Sequence, residues 1–346
     1  MASSSTRLLR HGVPALGAFL ASTTTSTKSW SSSCDAPSED PHTHHHRRSK
    51  PYGMIPDAKG DFHRLFPKRQ LWQPKVEYPL WDNNWDNLHP KPSGDDHEDH
   101  KRMRQIRNEG VTRHIILIRH GQYDEREKDD SKRLLTDLGK QQAELTGRRL
   151  REMMDGANKE FGPCKIKVVR VSNLARAIET ADIIASHLPG VEYAAPDPDL
   201  NEGRPCHNIP GGRASESTIQ KTEEQHARIE AAFQKIFHRA PPPPTTPIAS
   251  SDPASDSNKS SDPSSPASDC KHEFEIIVCH ANVIRYFFCR ALQLPPEAWP
   301  RLCTFNCSLT YLTIRPTGTV SCRMLGDIGH IPYGMSTFSM HTGYNW

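Results

Sequence analysis

The chain has 346 residues, with 44 Lys and Arg against 41 Asp and Glu, for a formal net charge of +3. That balance is too even for a nucleic-acid-binding protein, and 29 prolines argue that much of the chain lies outside a packed core. Nine cysteines, at 34, 164, 206, 270, 279, 289, 303, 307 and 322, form no C-x-x-C and no paired metal spacing, so they read as reduced thiols and no metal site is expected.

Residues 1–35 carry Arg7, Arg10 and Lys28 among many Ser and Thr, with no acid before Asp35. That is the composition of an organelle transit peptide. The apolar piece VPALGAFLA, residues 13–21, falls short of the ~20 residues a membrane helix needs and contains Pro14. It makes a weak membrane anchor the lesser reading.

Residues 36–110 are rich in Pro, His, Asp and Lys without a sustained hydrophobic period, which predicts an extended, mostly solvated arm. The tract His42 to Arg48 reads as a solvated basic patch. Within PLWDNNWDNLHP the pair Trp81-Asp82 recurs as Trp85-Asp86. Tryptophans in a solvated arm expose apolar area at a cost, so they are expected to dock, either on their own domain or on a partner.

Regular patterning starts near residue 111. HIILIR, ending at Arg119, suits a strand buried on both faces, and Thr136 is placed to cap a helix running to Met153, with Leu138, Leu145 and Leu150 spaced for burial. KIKVVRVS predicts a second strand. It leads into a helix on which Ala177, Ala181, Ile184 and Leu188 share one face. A Pro- and Gly-rich loop from Ala195 to Gly212 precedes a helix over 215–238. Residues 241–271 are too rich in Pro, Ser and Asp to fold and predict a disordered surface insertion. FEIIVC, NVIRYFFCRAL, SLTYLTIR and TVSCRML then predict strand, helix, strand and strand. The expected fold is therefore α/β, a three-layer α/β/α sandwich with a mainly parallel central sheet and an antiparallel edge, over 111–330, with 331–346 as a C-terminal tail.

In such a sheet ligands sit beyond the carboxyl ends of the strands. The first strand ends at Arg119-His120-Gly121, the second opens the helix bearing Arg176, and the third ends at His280. Two forked guanidiniums, Arg119 and Arg176, suit the oxygens of a phosphate monoester. His120 beside those cations stays neutral and can attack phosphorus, its other ring nitrogen donating to a carbonyl in the turn at Gly121. His280 precedes a helix whose first N–H groups add to the anion site. Glu202 is the candidate acid for the leaving oxygen. Asp124 and Glu125 are its rivals, while Glu179 reads as a helix-surface ion pair. A second Arg-His-Gly, at residues 10–12, has no buried strand before it and no partners to converge on it.

Strand-R-H-G, SNLARAIET, the acid loop and strand-C-H-A-N together resemble the histidine phosphatase, or phosphoglycerate mutase-like, superfamily from Arg113 to Gly329. The resemblance implies a phosphorylated histidine at His120, phosphate contacts from Arg119, His120, Arg176 and His280, and catalysis by His120, His280 and Glu202 without a cofactor. The segments RHIILIRHGQY, LTDLGKQQAELTGRRL and CHANVIRYFFCRALQLPPE are most similar to a protein phosphatase of that superfamily. They imply hydrolysis of phosphoserine, phosphothreonine or phosphohistidine in phosphoprotein substrates, in mitochondria and in association with a membrane. The Trp-Asp repeat is similar to an arm through which that member self-assembles, which implies homo-oligomers formed through Trp81, Asp82, Trp85 and Asp86. A small-molecule phosphomonoesterase, a phosphoglycerate mutase and an oligomeric scaffold remain the alternatives. Gln122-Tyr123 after the R-H-G, and a short, open acid loop, favour a protein substrate over a phosphosugar.

Overall fold

The computed structural model describes residues 81–157, 163–211, 214–243 and 271–338. The leader, the His tract, most of the arm before Trp81 and nearly all of the 241–271 insertion lie outside the described residues.

Six strands make one sheet in the order β3-β2-β4-β1-β5-β6: β1 (Thr112–Arg119), β2 (Ile166–Val171), β3 (Glu192–Tyr193), β4 (His272–Cys279), β5 (Leu309–Ile314) and β6 (Val320–Asp327). β1 and β2 both pair parallel to the central β4, and β3 pairs parallel to β2. β5 runs antiparallel to β1, and β6 antiparallel to β5. The mainly parallel sheet with an antiparallel edge follows the expectation. The two-residue β3 carries too little pattern to be read from sequence.

Both faces are covered, which is why the central strands are apolar throughout. Ile115 and Leu117 of β1 join Ile277 of β4 against Ile229, Phe233 and Phe287 on one side. Ile116 and Ile118 join Val169, Ile276 and Val278 against Leu150, Ala177, Ala181 and Ile184 on the other. The helices among the described residues are α1 (Asp96–Glu109), α2 (Asp137–Met154), α3 (Ala175–Ser186), α4 (Glu216–Ile236) and α5 (Ala281–Ala291). Thr136 caps α2 as expected, its side chain accepting from Gly139 N–H. The buried face of α2 differs from the one expected. Gly139, Gln142, Ala143, Thr146, Gly147 and Leu150 are buried, whereas Leu138 and Leu145 are half-exposed, because close packing against neighbouring backbone and His187 selects small residues.

Residues 96–109 correct the extended arm expected over 36–110. Asp95 caps α1 by accepting from His97 N–H at 2.8 Å, and Asp96, Glu98 and Asp99 in the first turn complement the helix dipole. Ile106 is the buried residue of this helix, too little apolar content to show as a period. The Trp-Asp segment meets its own domain. Trp85 Nε1 donates to Gly318 O at 2.8 Å, and the Asp86 carboxylate takes Arg239 in a buried ion pair at 2.7 Å.

The segment expected as a C-terminal tail over 331–346 packs on the domain over its described part. Ile331 is buried beside Ala143 and Cys307, and Gln142 Nε2 donates to Met335 O and Thr337 Oγ1. The buried amide of Gln142 requires partners, and this segment supplies them.

Candidate active site

Arg119 is the last residue of β1, and the backbone of His120 continues the ladder by donating to Cys279 O at 3.0 Å. Across the sheet, Cys279 is followed by His280, so the parallel register of β1 and β4 brings the two histidines side by side with ring centroids 5.1 Å apart. Arg176 enters from the first turn of α3. Arg119, His120, Arg176 and His280 are all buried, between 0% and 4% exposed. The structure thus brings together the four residues expected to form a phosphate site.

The turn after β1 leaves no room for side chains. A Cβ on Gly121 would meet Gly139 O at 2.6 Å, and one on Gly139 would collide with Gln122 O. Within that crossing His120 Nδ1 lies 2.8 Å from Gly121 O, to which it donates. This leaves Nε2 as the unprotonated nitrogen of the neutral ring. Gly121 N–H is itself tied to Thr180 Oγ1 at 3.0 Å, while Asn306 Nδ2 donates to His120 O at 2.9 Å and Cys307 N–H to Arg119 O at 3.0 Å.

Burial, then the charges of Arg119 and Arg176, hold the pKa of His120 well below its ordinary value. His280 is shifted the same way by burial, then by His120, Arg176, Arg119 and Arg228. Both imidazoles are neutral at pH 7. Arg119 stays cationic, since burial lowers its pKa only to about 10. Its Nη1 donates to Thr304 O at 2.8 Å. Arg176 stacks over Tyr123, 4.8 Å from the ring centroid, and donates to Asp130 Oδ1 at 2.9 Å.

Glu202 reaches the site from the loop after the short 3-10 turn Pro198–Leu200, its carboxylate bonded to the N–H groups of Gly203 and Asn282. Burial raises its pKa above the usual carboxylate range, against the opposing pull of Gly203, Arg119 and Arg176. The rivals are less enclosed, although the charge of Glu125 still acts on Arg119 and Tyr123. Asp124 pairs with Arg126 at the surface, and Glu125 is exposed. Glu179 corrects the surface ion pair expected of it: its carboxylate accepts from Leu135 N–H at 2.6 Å, holding the end of the charged loop.

Sequence reasoning missed the supports. Ser172, Thr180, Asn306 and Asp130 each bind a site residue, and only Ser172 carried a signal, as the first residue beyond β2. Among the described residues no group of three or more His, Cys, Asp or Glu side chains is arranged to hold a metal.

The model of the histidine phosphatase superfamily (branch 1) matches residues 115–326, more than half of the chain. A relative from Caenorhabditis elegans named "Serine/threonine-protein phosphatase Pgam5, mitochondrial" is 40% identical over 266 residues, covering 75% of this chain and 81% of its own. The Homo sapiens protein named "Serine/threonine-protein phosphatase PGAM5, mitochondrial" is 39% identical over 267 residues, covering 73% of this chain and 78% of its own. Among solved structures, a phosphoglycerate mutase from Plasmodium falciparum is 30% identical, covers 65% of this chain and 96% of its own, and superposes with a TM-score of 0.39. With two buried arginines and two histidines at the strand ends of an α/β sheet, and with this extent of match, the chain belongs to the histidine phosphatase superfamily, branch 1.

Proposed function

We propose that this protein is a serine/threonine protein phosphatase that works through a phosphohistidine on His120. The observation that carries the reading is the bond from His120 Nδ1 to Gly121 O, which leaves Nε2 unprotonated on a ring that feels the charges of Arg119 and Arg176. The names of relatives near 40% identity support a phosphoprotein as the substrate.

On this reading the guanidiniums of Arg119 and Arg176, with His280, hold the phosphoryl oxygens. Nε2 of His120 attacks phosphorus, and the bond to the seryl or threonyl oxygen breaks as Glu202 donates its proton to that oxygen. Water then attacks the phosphohistidine, giving its proton back to Glu202, and inorganic phosphate leaves. Gln122 and Tyr123 favour this over a mutase, because both are already engaged by the protein. Thr136 Oγ1 donates to Gln122 Oε1 at 2.8 Å, and Tyr123 lies under Arg176.

Purified protein incubated with phosphoserine, phosphothreonine and phosphohistidine peptides, alongside 3-phosphoglycerate, tests the reading. Phosphate release from peptides without added metal is expected. Turnover of 3-phosphoglycerate with none on peptides would overturn it.

We also propose that the protein acts in mitochondria, associated with a membrane, and self-assembles through its arm. Its cationic leader and the relatives' names support the compartment. No described helix is long and apolar enough to cross a membrane, so on this reading the association rests on the leader. Assembly is supported by the arm's receptor, built from Arg239, Gly318 and Gln293, which would accept the same segment from a second copy by exchange. Trp81→Ala with Trp85→Ala should lower the sedimentation mass, and an unchanged mass would leave the arm as a device of its own domain.

A further inference from the structure

Ser172 is wholly buried where β2 ends, and its hydroxyl meets three groups. Leu174 N–H lies at 3.3 Å, Asn201 Oδ1 at 2.8 Å and His280 Nε2 at 2.8 Å. A hydroxyl has one proton to give and two lone pairs to offer. Leu174 N–H can only donate, and the amide oxygen of Asn201 can only accept. Ser172 therefore gives its proton to Asn201 and takes one from Leu174 and one from His280. The tautomer of His280 follows: the proton of the neutral ring is on Nε2, and Nδ1 carries a lone pair.

That Nδ1 is buried and has no hydrogen-bond partner among the described residues. Its ring stands 5.1 Å from the ring of His120, so a group bound at His120 Nε2 comes within its reach. A lone pair repels an anionic oxygen, whereas an N–H at the same place binds it. We propose that the Ser172–Asn201 pair obliges His280 to take up a proton at Nδ1 whenever a phosphoryl-like dianion enters, so that anion binding is coupled to proton uptake. The inference rests on the reading of this pocket as a phosphate site.

The balance of charge around His280 explains why the uptake waits for the ligand. Arg119 and His120 face it from the end of β1, Arg176 from α3 and Arg228 from α4, while Glu202, bonded to Asn282 N–H, acts on Arg119 and Arg176. Burial and three guanidiniums keep the ring neutral. A dianion reverses the sign of the local field and stabilises an imidazolium. The step balances simply: one proton moves from solvent to Nδ1, one N–H bond forms, and the pair of ligand and imidazolium carries one negative charge. A phosphate ester entering as the monoanion, half-populated near pH 6, can deliver the same proton itself. Ser172 and Asn201 are positioning residues here, acting on the ligand through His280.

Calorimetric titration with sulfate, a dianion throughout the neutral range, tests the proposal. Heats measured at one pH in buffers of different ionisation enthalpy give the protons taken up. The wild type should take up about one per sulfate, with affinity weakening up to about tenfold per pH unit above neutral. In Asn201→Ala the Ser172 proton is free to turn to Nε2, which flips His280 to the Nδ1–H tautomer. Uptake should fall close to zero and the pH dependence flatten, and Ser172→Ala should do the same. His120→Asn should retain the uptake, which separates the two histidines. Binding without uptake in the wild type, or uptake that survives in both Asn201→Ala and Ser172→Ala, would overturn the proposal while leaving the phosphate pocket intact. Failure of the folded wild type to bind either sulfate or inorganic phosphate would overturn the pocket and the proposal together.

Discussion

The carbonyl oxygen of Gly121 lies 2.8 Å from Nδ1 of His120, in a turn where a Cβ on Gly121 would stand 2.6 Å from Gly139 O. The glycine therefore does two things: it lets the turn cross the start of α2, and it presents the carbonyl that orients the nucleophile. Gly121→Ala must push the turn away from Gly139. A displacement of about 1 Å at a reacting group costs on the order of 100-fold in rate. We expect kcat to fall by that order with the fold retained, as judged by circular dichroism, and an unchanged kcat would count against the role of this turn.

Glu202 has its pKa raised by burial, so its proton is held to higher pH than on an ordinary carboxylate. Activity that depends on the acid form declines as pH rises through that value. Glu202→Gln should lower kcat on a phosphoserine peptide by about 100-fold. The loss should be far smaller on 4-nitrophenyl phosphate, whose leaving group needs no proton. Equal losses on both substrates would remove Glu202 as the proton donor.

His114 is buried, with Nδ1 2.6 Å from Tyr311 Oη and Nε2 2.9 Å from His272 Nδ1. Burial, then His272 and Arg323, lower its pKa to about 3. The unfolded chain binds a proton there below about pH 6.5 and the folded one does not, so stability falls on acidification between those values. The slope from this one residue is about 1.4 kcal/mol per pH unit. His114→Phe should be less stable at pH 7, having orphaned two partners, yet show a shallower loss between pH 6 and 4 in urea titrations. Parallel slopes would contradict this.

Asp86 and Arg239 form an ion pair whose side chains are 1% and 2% exposed. Removing one partner of such a pair typically costs about 3–5 kcal/mol. Asp86→Asn should weaken the hold on the arm, measured as faster proteolytic cleavage between Trp85 and Asp95. Resistance equal to the wild type would show that contacts other than this ion pair hold the arm.

Particular residues show what the sequence made legible. Arg119, His120, Arg176 and His280 were legible because each stands at a strand end or in the helix turn that follows one, and parallel strands deliver such ends to one edge. Thr180 and Asn306 were not, since they reach their partners across gaps of 59 and 186 residues and hydroxyls or amides leave no periodic trace. The same holds for the arm. Trp81 to Asp86 announced that it docks, but Gly318 and Arg239, which receive it, are ordinary residues of a turn and a helix exit. Helix α1 escaped because its signal is a cap and a charge gradient rather than a buried stripe.

The central claim is that Nε2 of His120 takes the phosphoryl group, and rapid-quench mass spectrometry of the protein mixed with a phosphothreonine peptide tests it most directly. The account predicts an acid-labile phosphoryl group on the tryptic peptide that contains His120, formed and lost within turnover and missing from His120→Asn. A phosphoryl group on His280, or phosphate release undiminished in His120→Asn, would contradict it.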